Sequence, residues 1–185
     1  MGQIRITGGS HRSRKIKVED QPGLRPTADR IRETLFNWLG QNLHGWSVLD
    51  LYAGSGILGF EAASRGASRV LCVDNNRVTV QQLQQNQSVL QLPAIDIRHQ
   101  SAQHFVHQAS TQQLAAFDLV FLDPPFDSDE LPAISGIITP LIRPDGWLYR
   151  EYGRQQDIGP LDAAHWTLVK QKQAGQVCFE LWQKT

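Results

Sequence analysis

The stretch LDLYAGSGILGFEA, residues 49–62, constrains the fold more than any other part of the chain. A strand-like apolar run passes through a glycine-rich turn directly into a helical pattern. Gly54, Gly56 and Gly59 fall at the spacing G-x-G-x-x-G. Glycines there permit a tight turn and let a ligand approach the backbone closely. The rest of the chain repeats the strand–helix alternation. WSVLDLY (46–52) reads as a strand, 57–65 as a helix ended by Gly66, and RVLCVD (69–74) as a strand. A polar periodic helix follows over 75–90, with Asn75 or Asn76 as its cap, then a strand AIDIRH (94–99) and a helix over 101–113. FDLVFLD (117–123) is almost continuously apolar, as expected of a strand covered on both faces. A helix is expected over 130–142, with Pro140 near its end, and GWLYREY (146–152) is a further strand. WTLVKQ (166–171) and QVCFELW (176–182) flank Lys172 to Gly175 and read as a closing hairpin. These patterns predict an α/β fold with a mostly parallel seven-stranded sheet, helices on both faces and an antiparallel hairpin at the C-terminus.

Two elements precede the glycine turn. QIRITGG and RSRKIKV (12–18) suggest an N-terminal β-hairpin with a polar loop around Ser10 and His11. GLRPTADRIRETLFNWLG (23–40) predicts a helix started by Thr27 or Asp29 and left at Gly40. Ile31, Leu35, Trp38 and Leu39 form its apolar stripe, with Arg30 and Arg32 beside it. The expected organisation is a basic hairpin over residues 1–22 and one larger domain over 23–185.

The 185 residues suit one domain with a small extension, and 41% hydrophobic content is enough for a full core. No run of 18 apolar residues suggests a membrane span, and MGQIRITGG has no signal-like apolar segment. Cys72 and Cys178 lie in predicted strands and read as buried free thiols of a reducing compartment. A cytoplasmic protein, a monomer, is expected. Formal net charge is zero, but residues 1–32 hold eight Lys/Arg against three acids, while the remainder carries a net of −5. A basic arm on an acidic body points to an anionic partner for the arm.

Three carboxylates follow strand ends. Asp74 lies 20 residues after Gly54, where a carboxylate meets ribose hydroxyls in dinucleotide and S-adenosylmethionine sites alike. Asp50, just before the turn, would repel a pyrophosphate but suits a cationic sulfonium cofactor with an α-amino group. Ser101 is placed either to contact an adenine edge or to cap a helix. Asp123 opens DPPF. Pro124 and Pro125 restrain the backbone and have no N–H to donate, so their carbonyls are left as fixed acceptors, and Phe126 offers a stacking face. An exocyclic amine on a flat heterocycle fits this set. Asp123 and the Pro124 carbonyl would take its two hydrogens and aim its lone pair at a methyl carbon. The six histidines are scattered without ligand spacing, and Asp127, Asp129 and Glu130 read as a capping loop, so no metal is expected. No phosphate-binding lysine loop is present.

RITGGSHRSRKIKV, GLRPTADRIRETLFNWL, VLDLYAGSGILGFEAASRGA and FDLVFLDPPF together resemble the bacterial 16S ribosomal RNA guanine-N2 methyltransferase family that modifies guanine 966. The resemblance runs from about residue 4 to 152 and more weakly over 170–182. It implies a class I Rossmann-like methyltransferase fold and S-adenosylmethionine as cofactor. It also implies 16S ribosomal RNA, in the small subunit or its assembly intermediate, as partner. Carried over, Asp50, Gly54, Gly56, Asp74 and Ser101 would bind cofactor, and Asp123, Pro124, Pro125 and Phe126 would form the catalytic pocket. Arg12, Arg14, Lys15, Lys17 and Arg25 would contact RNA, whose target base must leave its stack to reach Asp123. Three positions depart from the family pattern: Asp74 where Glu is commoner, Ser101 where Asp often stands, and Ser13 in place of a glycine. The same pocket could take an adenine or cytosine amine. A catalytically silent RNA-binding module would need the basic arm alone, and a nicotinamide dehydrogenase would sit poorly with Asp50 and DPPF.

Overall fold

Five strands of this chain end on the same side of one sheet. The computed structural model describes residues 2–18, 29–112 and 117–185. Within them, β3 (Ser47–Asp50), β4 (Arg69–Asp74), β5 (Ile95–His99), β6 (Phe117–Leu122) and β7 (Ile142–Gly153) run parallel. β8 (Trp166–Ala174) and β9 (Val177–Lys184) complete the sheet antiparallel, in the order β5-β4-β3-β6-β7-β9-β8. The seven-stranded mixed sheet is the one expected from the sequence. From β3 the chain steps outward to β4 and β5, then returns to the other flank of β3 as β6. The carboxyl ends of β3 and β6 therefore border the point where the winding reverses, and a crevice opens there.

The helices α1 (Asp29–Trp38), α2 (Ile57–Ser64), α3 (Arg77–Leu90), α4 (Ala102–Thr111) and α5 (Glu130–Ile137) cover the sheet. Two apolar clusters result. One holds Phe36, Phe60, Leu83, Phe121, Tyr149 and Phe179, and the other Leu49, Val73, Phe105, Val120, Leu131 and Leu148. β6 is buried at every position, which is why its sequence shows no alternation. Among the described residues no helix is long and apolar enough to cross a membrane.

Several boundaries differ from expectation, each for a local reason. α5 stops at Ile137 instead of continuing to 142. Pro140 falls in a short 3-10 turn, Thr139–Leu141, and β7 begins at Ile142, four residues earlier than read. β8 continues through Lys172 and Gln173 to Ala174, which pairs with Val177. The hairpin turn is only Gly175–Gln176, with Gly175 at φ 62°. β8 is an edge strand, so its Lys and Gln side chains remain in solvent. Cys72 is buried in β4 as expected, but Cys178 is only half-buried. Thr27 lies outside the described residues, while Asp29 opens α1.

The largest departure concerns Arg32, expected beside the stripe but completely buried. Its NH2 donates to the Arg5 carbonyl (2.7 Å) and Asp29 Oδ1 (2.8 Å), and its Nε lies 3.7 Å from Glu61 Oε1. Glu61, also fully buried, takes Arg65 Nε on its other oxygen at 3.1 Å. Its Oε1 accepts from the Thr7 hydroxyl at 2.7 Å and from the Thr7 backbone N–H. Two arginines can be buried here because one carboxylate lies between them, while Asp29 and the Arg5 carbonyl accept from Arg32 and the Gln41 and Thr7 side chains accept from Arg65.

This cluster anchors the N-terminal hairpin, β1 (Gly2–Arg5) paired antiparallel with β2 (Lys15–Val18). Ile4, Ile6, Ile16 and Val18 enter the main core, while Arg12, Arg14, Lys15 and Lys17 remain exposed. Ser64 Oγ donates to the Gly8 carbonyl (2.6 Å) and accepts from the His11 N–H (2.9 Å). Asn86 of α3 exchanges two hydrogen bonds with the Lys17 backbone, at 3.0 and 2.8 Å. Ser13 sits at φ 71°, a conformation glycine adopts without steric cost.

Glu61→Ala would strand two buried guanidinium groups and release Thr7. A loss of about 3–5 kcal/mol is expected, because one partner of a buried ion cluster is removed. Urea unfolding of the variant against the parent chain checks it.

Candidate active site

The strand ends at the reversal point form an open cleft of about 650 Å³. On one side, β3 ends in Asp50 and the chain turns through Gly54 and Gly56, at φ 50° and 78°. A Cβ at Gly56 would lie 2.3 Å from Leu83 Cδ2, so packing as well as conformation demands glycine. Gly59 serves the helix–sheet contact: a Cβ there would lie 2.7 Å from Cys72 Sγ. Its N–H donates to Asp50 Oδ2 at 3.0 Å. The sequence placed Asp50 at the cofactor end. The structure puts it at the cleft wall, 2% exposed, as the link between β3 and α2. Burial pushes its carboxyl up to about 7; the Gly59 N–H opposes this and the Asp74 charge adds to it.

Asp74, at the end of β4, crosslinks two turns. Its Oδ2 accepts from Gly54 N–H (2.9 Å) and its Oδ1 from Asn76 N–H (2.8 Å). Partial burial raises its pKa, against both N–H groups and His99. Each oxygen retains a second lone pair for a hydroxyl donor. Asn76 caps α3 through Val78 and Thr79 N–H. Ser101 caps α4, its Oγ accepting from His104 N–H at 3.3 Å, and its residue also lines the cleft. Asp50, Gly54, Asp74 and Ser101 thus border a common cleft, whereas Gly56 supports it from behind.

Across the cleft, β6 delivers Asp123, Pro124, Pro125 and Phe126. Asp123 is half-buried, Pro124 buried, Pro125 exposed and Phe126 half-buried against the main core. The structure corrects one expectation. The sequence left both proline carbonyls as acceptors for a ligand, but that of Pro125 accepts from Ser128 N–H (3.1 Å) and Oγ (2.8 Å), closing the turn. Gly153 backs Phe126, for a Cβ there would stand 3.5 Å from its ring. Gly153 N–H donates to Gln156 Oε1 at 2.8 Å, and Gln156 Nε2 reaches the Ser128 carbonyl at 3.4 Å. The end of β7 therefore braces the DPPF turn.

Two cleft residues escaped the sequence reading. Tyr52 donates its hydroxyl to Glu130 Oε2 at 2.7 Å, and burial followed by this bond pushes the phenol upward. Glu151, 4% exposed at the end of β7, accepts from the Tyr149 hydroxyl at 2.7 Å. An acid two residues after a tyrosine, at the end of the strand beside DPPF, was the available signal.

The proposed RNA contacts Arg12, Arg14, Lys15 and Lys17 are all exposed on the hairpin. Arg25 lies outside the described residues. His11 Nε2 is 2.9 Å from the Leu90 carbonyl, and Lys17 meets Asn86. Both contacts fall on the C-terminal part of α3, at Asn86 and Leu90, whereas its N-terminal end lines the cleft.

Residues 4–183 match the model of a family described as conserved hypothetical protein 95. The ribosomal RNA small subunit methyltransferase D of Escherichia coli K12 is 40% identical, over 99% of this chain and 91% of its own. That of Haemophilus influenzae is 37% identical over 98% and 94%. The chain belongs to the ribosomal RNA small subunit methyltransferase D family. A solved methyltransferase structure from Escherichia coli superposes with a TM-score of 0.88 at 34% identity, covering 99% of this chain and 98% of that one. A Haemophilus influenzae methylase gives 0.82 at 33%, with 98% of both chains covered. The likeness therefore extends over the N-terminal hairpin of this methyltransferase D family member as well as its sheet.

Asp50 gives the fold a measurable pH dependence. Its carboxyl titrates at about 7 when folded and at its ordinary 3.8 otherwise, so between these values the folded chain holds a proton that the unfolded chain has released. Its contribution to stability is therefore greatest at low pH, falls as pH rises from about 4 to about 7, and is constant above. In Asp50→Asn this decline should disappear. Urea midpoints for both chains from pH 5 to 8 measure the difference.

Proposed function

We propose that this protein transfers a methyl group from S-adenosylmethionine to the N2 amine of one guanine in 16S ribosomal RNA. It acts as a cytoplasmic monomer on the small subunit or its assembly intermediate. The observation that carries this reading is the position of Asp123 and Pro124. They end a strand at the reversal point, directly across the cleft from the glycine turn. Family membership supplies the substrate class.

The cleft residues suit this cofactor. Asp50 brings a carboxylate to the wall beside the glycine turn, where a dinucleotide would place its pyrophosphate, which disfavours that anion. A ligand cation beside buried Asp50 would stabilise its ionised form. Asp74 would hold ribose hydroxyls, and Ser101 and its neighbours would border the adenine. When bound, S-adenosylmethionine supplies a methyl group on an electrophilic sulfonium.

The chain's own work is positioning. A guanine amine is a poor nucleophile because its lone pair is delocalised into the ring. The Asp123 carboxylate and Pro124 carbonyl accept its two hydrogens and direct the lone pair across the cleft. Phe126 stacks on the ring. Asp123 stabilises positive charge as it develops on nitrogen, and, half-exposed, provides the proton's route to solvent. The exposed cations of the hairpin hold RNA phosphates, on a support fixed to α2 and α3. Loop guanines suit the pocket best, since flipping them costs least.

Labelled methyl transfer to small subunits lacking the modification, naked 16S RNA and duplex DNA tests the reading, followed by identification of the product nucleoside. N2-methylguanosine at one position supports it. N6-methyladenine, N4-methylcytosine or no transfer overturns it. Asp123→Ala is expected to lower kcat by about 100-fold or more while leaving cofactor affinity within about threefold, because it removes a group that holds the reacting amine. Equal losses in both would sink the assigned role.

Arg14→Ala with Lys15→Ala should weaken small-subunit binding, with a salt slope shallower by about 1 for each phosphate that is no longer neutralised. Filter binding between 50 and 200 mM salt, roughly the range over which such charges are screened, reads the slope directly.

A further inference from the structure

The reacting end carries a second carboxylate that methyl transfer itself does not require. β6 and β7 pair in parallel with Leu122 beside Arg150, so the next residues, Asp123 and Glu151, are neighbours at the sheet end. Both line the cleft. Phe121 and Tyr149, the preceding pair on that face, touch edge to face at 6.1 Å. Phe126 packs against the same cluster, so the stacking ring and the two acids share one face of the sheet. Glu151 is 4% exposed, and the Tyr149 hydroxyl donates to its Oε2 at 2.7 Å. The buried Tyr149 phenol is pushed up by desolvation, then by the charges of Glu151 and Asp123, as expected if both carboxylates sit around it.

Two carboxylates side by side repel unless donors come between them. They therefore favour a ligand edge made of contiguous hydrogen-bond donors. Guanine has such an edge, with N1–H next to the N2 amine. Adenine and cytosine place a ring nitrogen lone pair beside their amine. Set against a carboxylate, that lone pair is repelled and the acid is left unpaired.

We propose that Glu151 accepts the N1–H of the target guanine while Asp123 and Pro124 hold its amine, so that Glu151 selects guanine over adenine and cytosine. Tyr149 is the positioning residue that holds the Glu151 carboxylate in place. This rests on the methyl-transfer reading and adds the choice of base to it.

2-Aminopurine is the discriminating probe. It keeps the amine on the same ring carbon but has a lone pair at N1. Small subunits reconstituted from ligated 16S RNA would carry guanine or 2-aminopurine at the target position. The parent enzyme is expected to favour guanine by about 100-fold or more in kcat/KM, because the site would be built around that N–H. Glu151→Gln should lose at least about tenfold on guanine, since a charge-assisted hydrogen bond is removed. It should lose little on 2-aminopurine, whose N1 can accept from the new amide, and its cofactor affinity should not change. Glu151→Asp, which keeps the charge but shortens the reach, should fall between them in discrimination.

An equal loss on both bases would show a merely structural role and overturn the proposal. So would parent-like discrimination in Glu151→Gln. Should that variant fail to fold, the parent and Glu151→Asp decide: equal use of 2-aminopurine by the parent overturns the proposal, and strong preference for guanine retained in part by Glu151→Asp supports it. Failure of the parent to form N2-methylguanosine would instead overturn the underlying reaction, which separates the two failures.

Discussion

The reversal of winding between β3 and β6 is the constraint on which the chemistry depends. The connection after β3 leads into α2 and packs in one apolar cluster, and that after β6 leads into α5 and packs in the other, so the two leave the sheet towards opposite faces. The turns after β3 and β6 therefore part and leave a crevice. What fills the walls is then a matter of which side chains terminate these strands. In this chain the strands ending beside the crevice finish in or adjoin acids: Asp50, Asp74, Asp123 and Glu151.

That concentration of negative charge is costly, and donors offset it at several of the acids. Asp50 has a single backbone donor and titrates near neutrality. Asp74 has two, one from each of the turns it joins. Glu151 has the Tyr149 hydroxyl, and Glu130 the Tyr52 hydroxyl. No cationic side chain lines the crevice among the described residues. A cleft arranged in this way favours ligands that bring donors and positive charge. A sulfonium compound with an amino group and a guanine edge both do so, whereas a nucleotide pyrophosphate does not.

The sheet was legible because each of its strands and covering helices carries a local signal: the glycine turn, the unbroken apolar run of β6, the punctuating Gly66 and Pro140. DPPF was legible because two prolines after an acid are a backbone statement that needs no tertiary partner. What could not be read depended on contacts distant in sequence. Arg32 looks like a surface residue until Glu61, 29 positions later, lies beside it. Lys172 looked like part of a turn because the edge position of β8, which lets lysine occupy a strand, is a property of the whole sheet. Pro125 promised a free carbonyl until Ser128 folded back onto it. Glu151 was hidden for a related reason, since its neighbour Asp123 belongs to another strand.

The N-terminal hairpin links the two themes of buried charge and strand-end chemistry. Its basic residues would be of little use for registering a large RNA if they were carried on a mobile tether, since phosphate contacts position a substrate only as well as their support is fixed. Glu61 binds Thr7 at the base of the hairpin, and it also belongs to α2, whose first turn begins at Gly56 and whose Gly59 is bonded to Asp50. One short helix thus joins the hairpin at its far end to the cofactor-side wall of the cleft at its near end. The same buried carboxylate that looks purely structural therefore holds the basic hairpin and the cleft wall in one fixed relation.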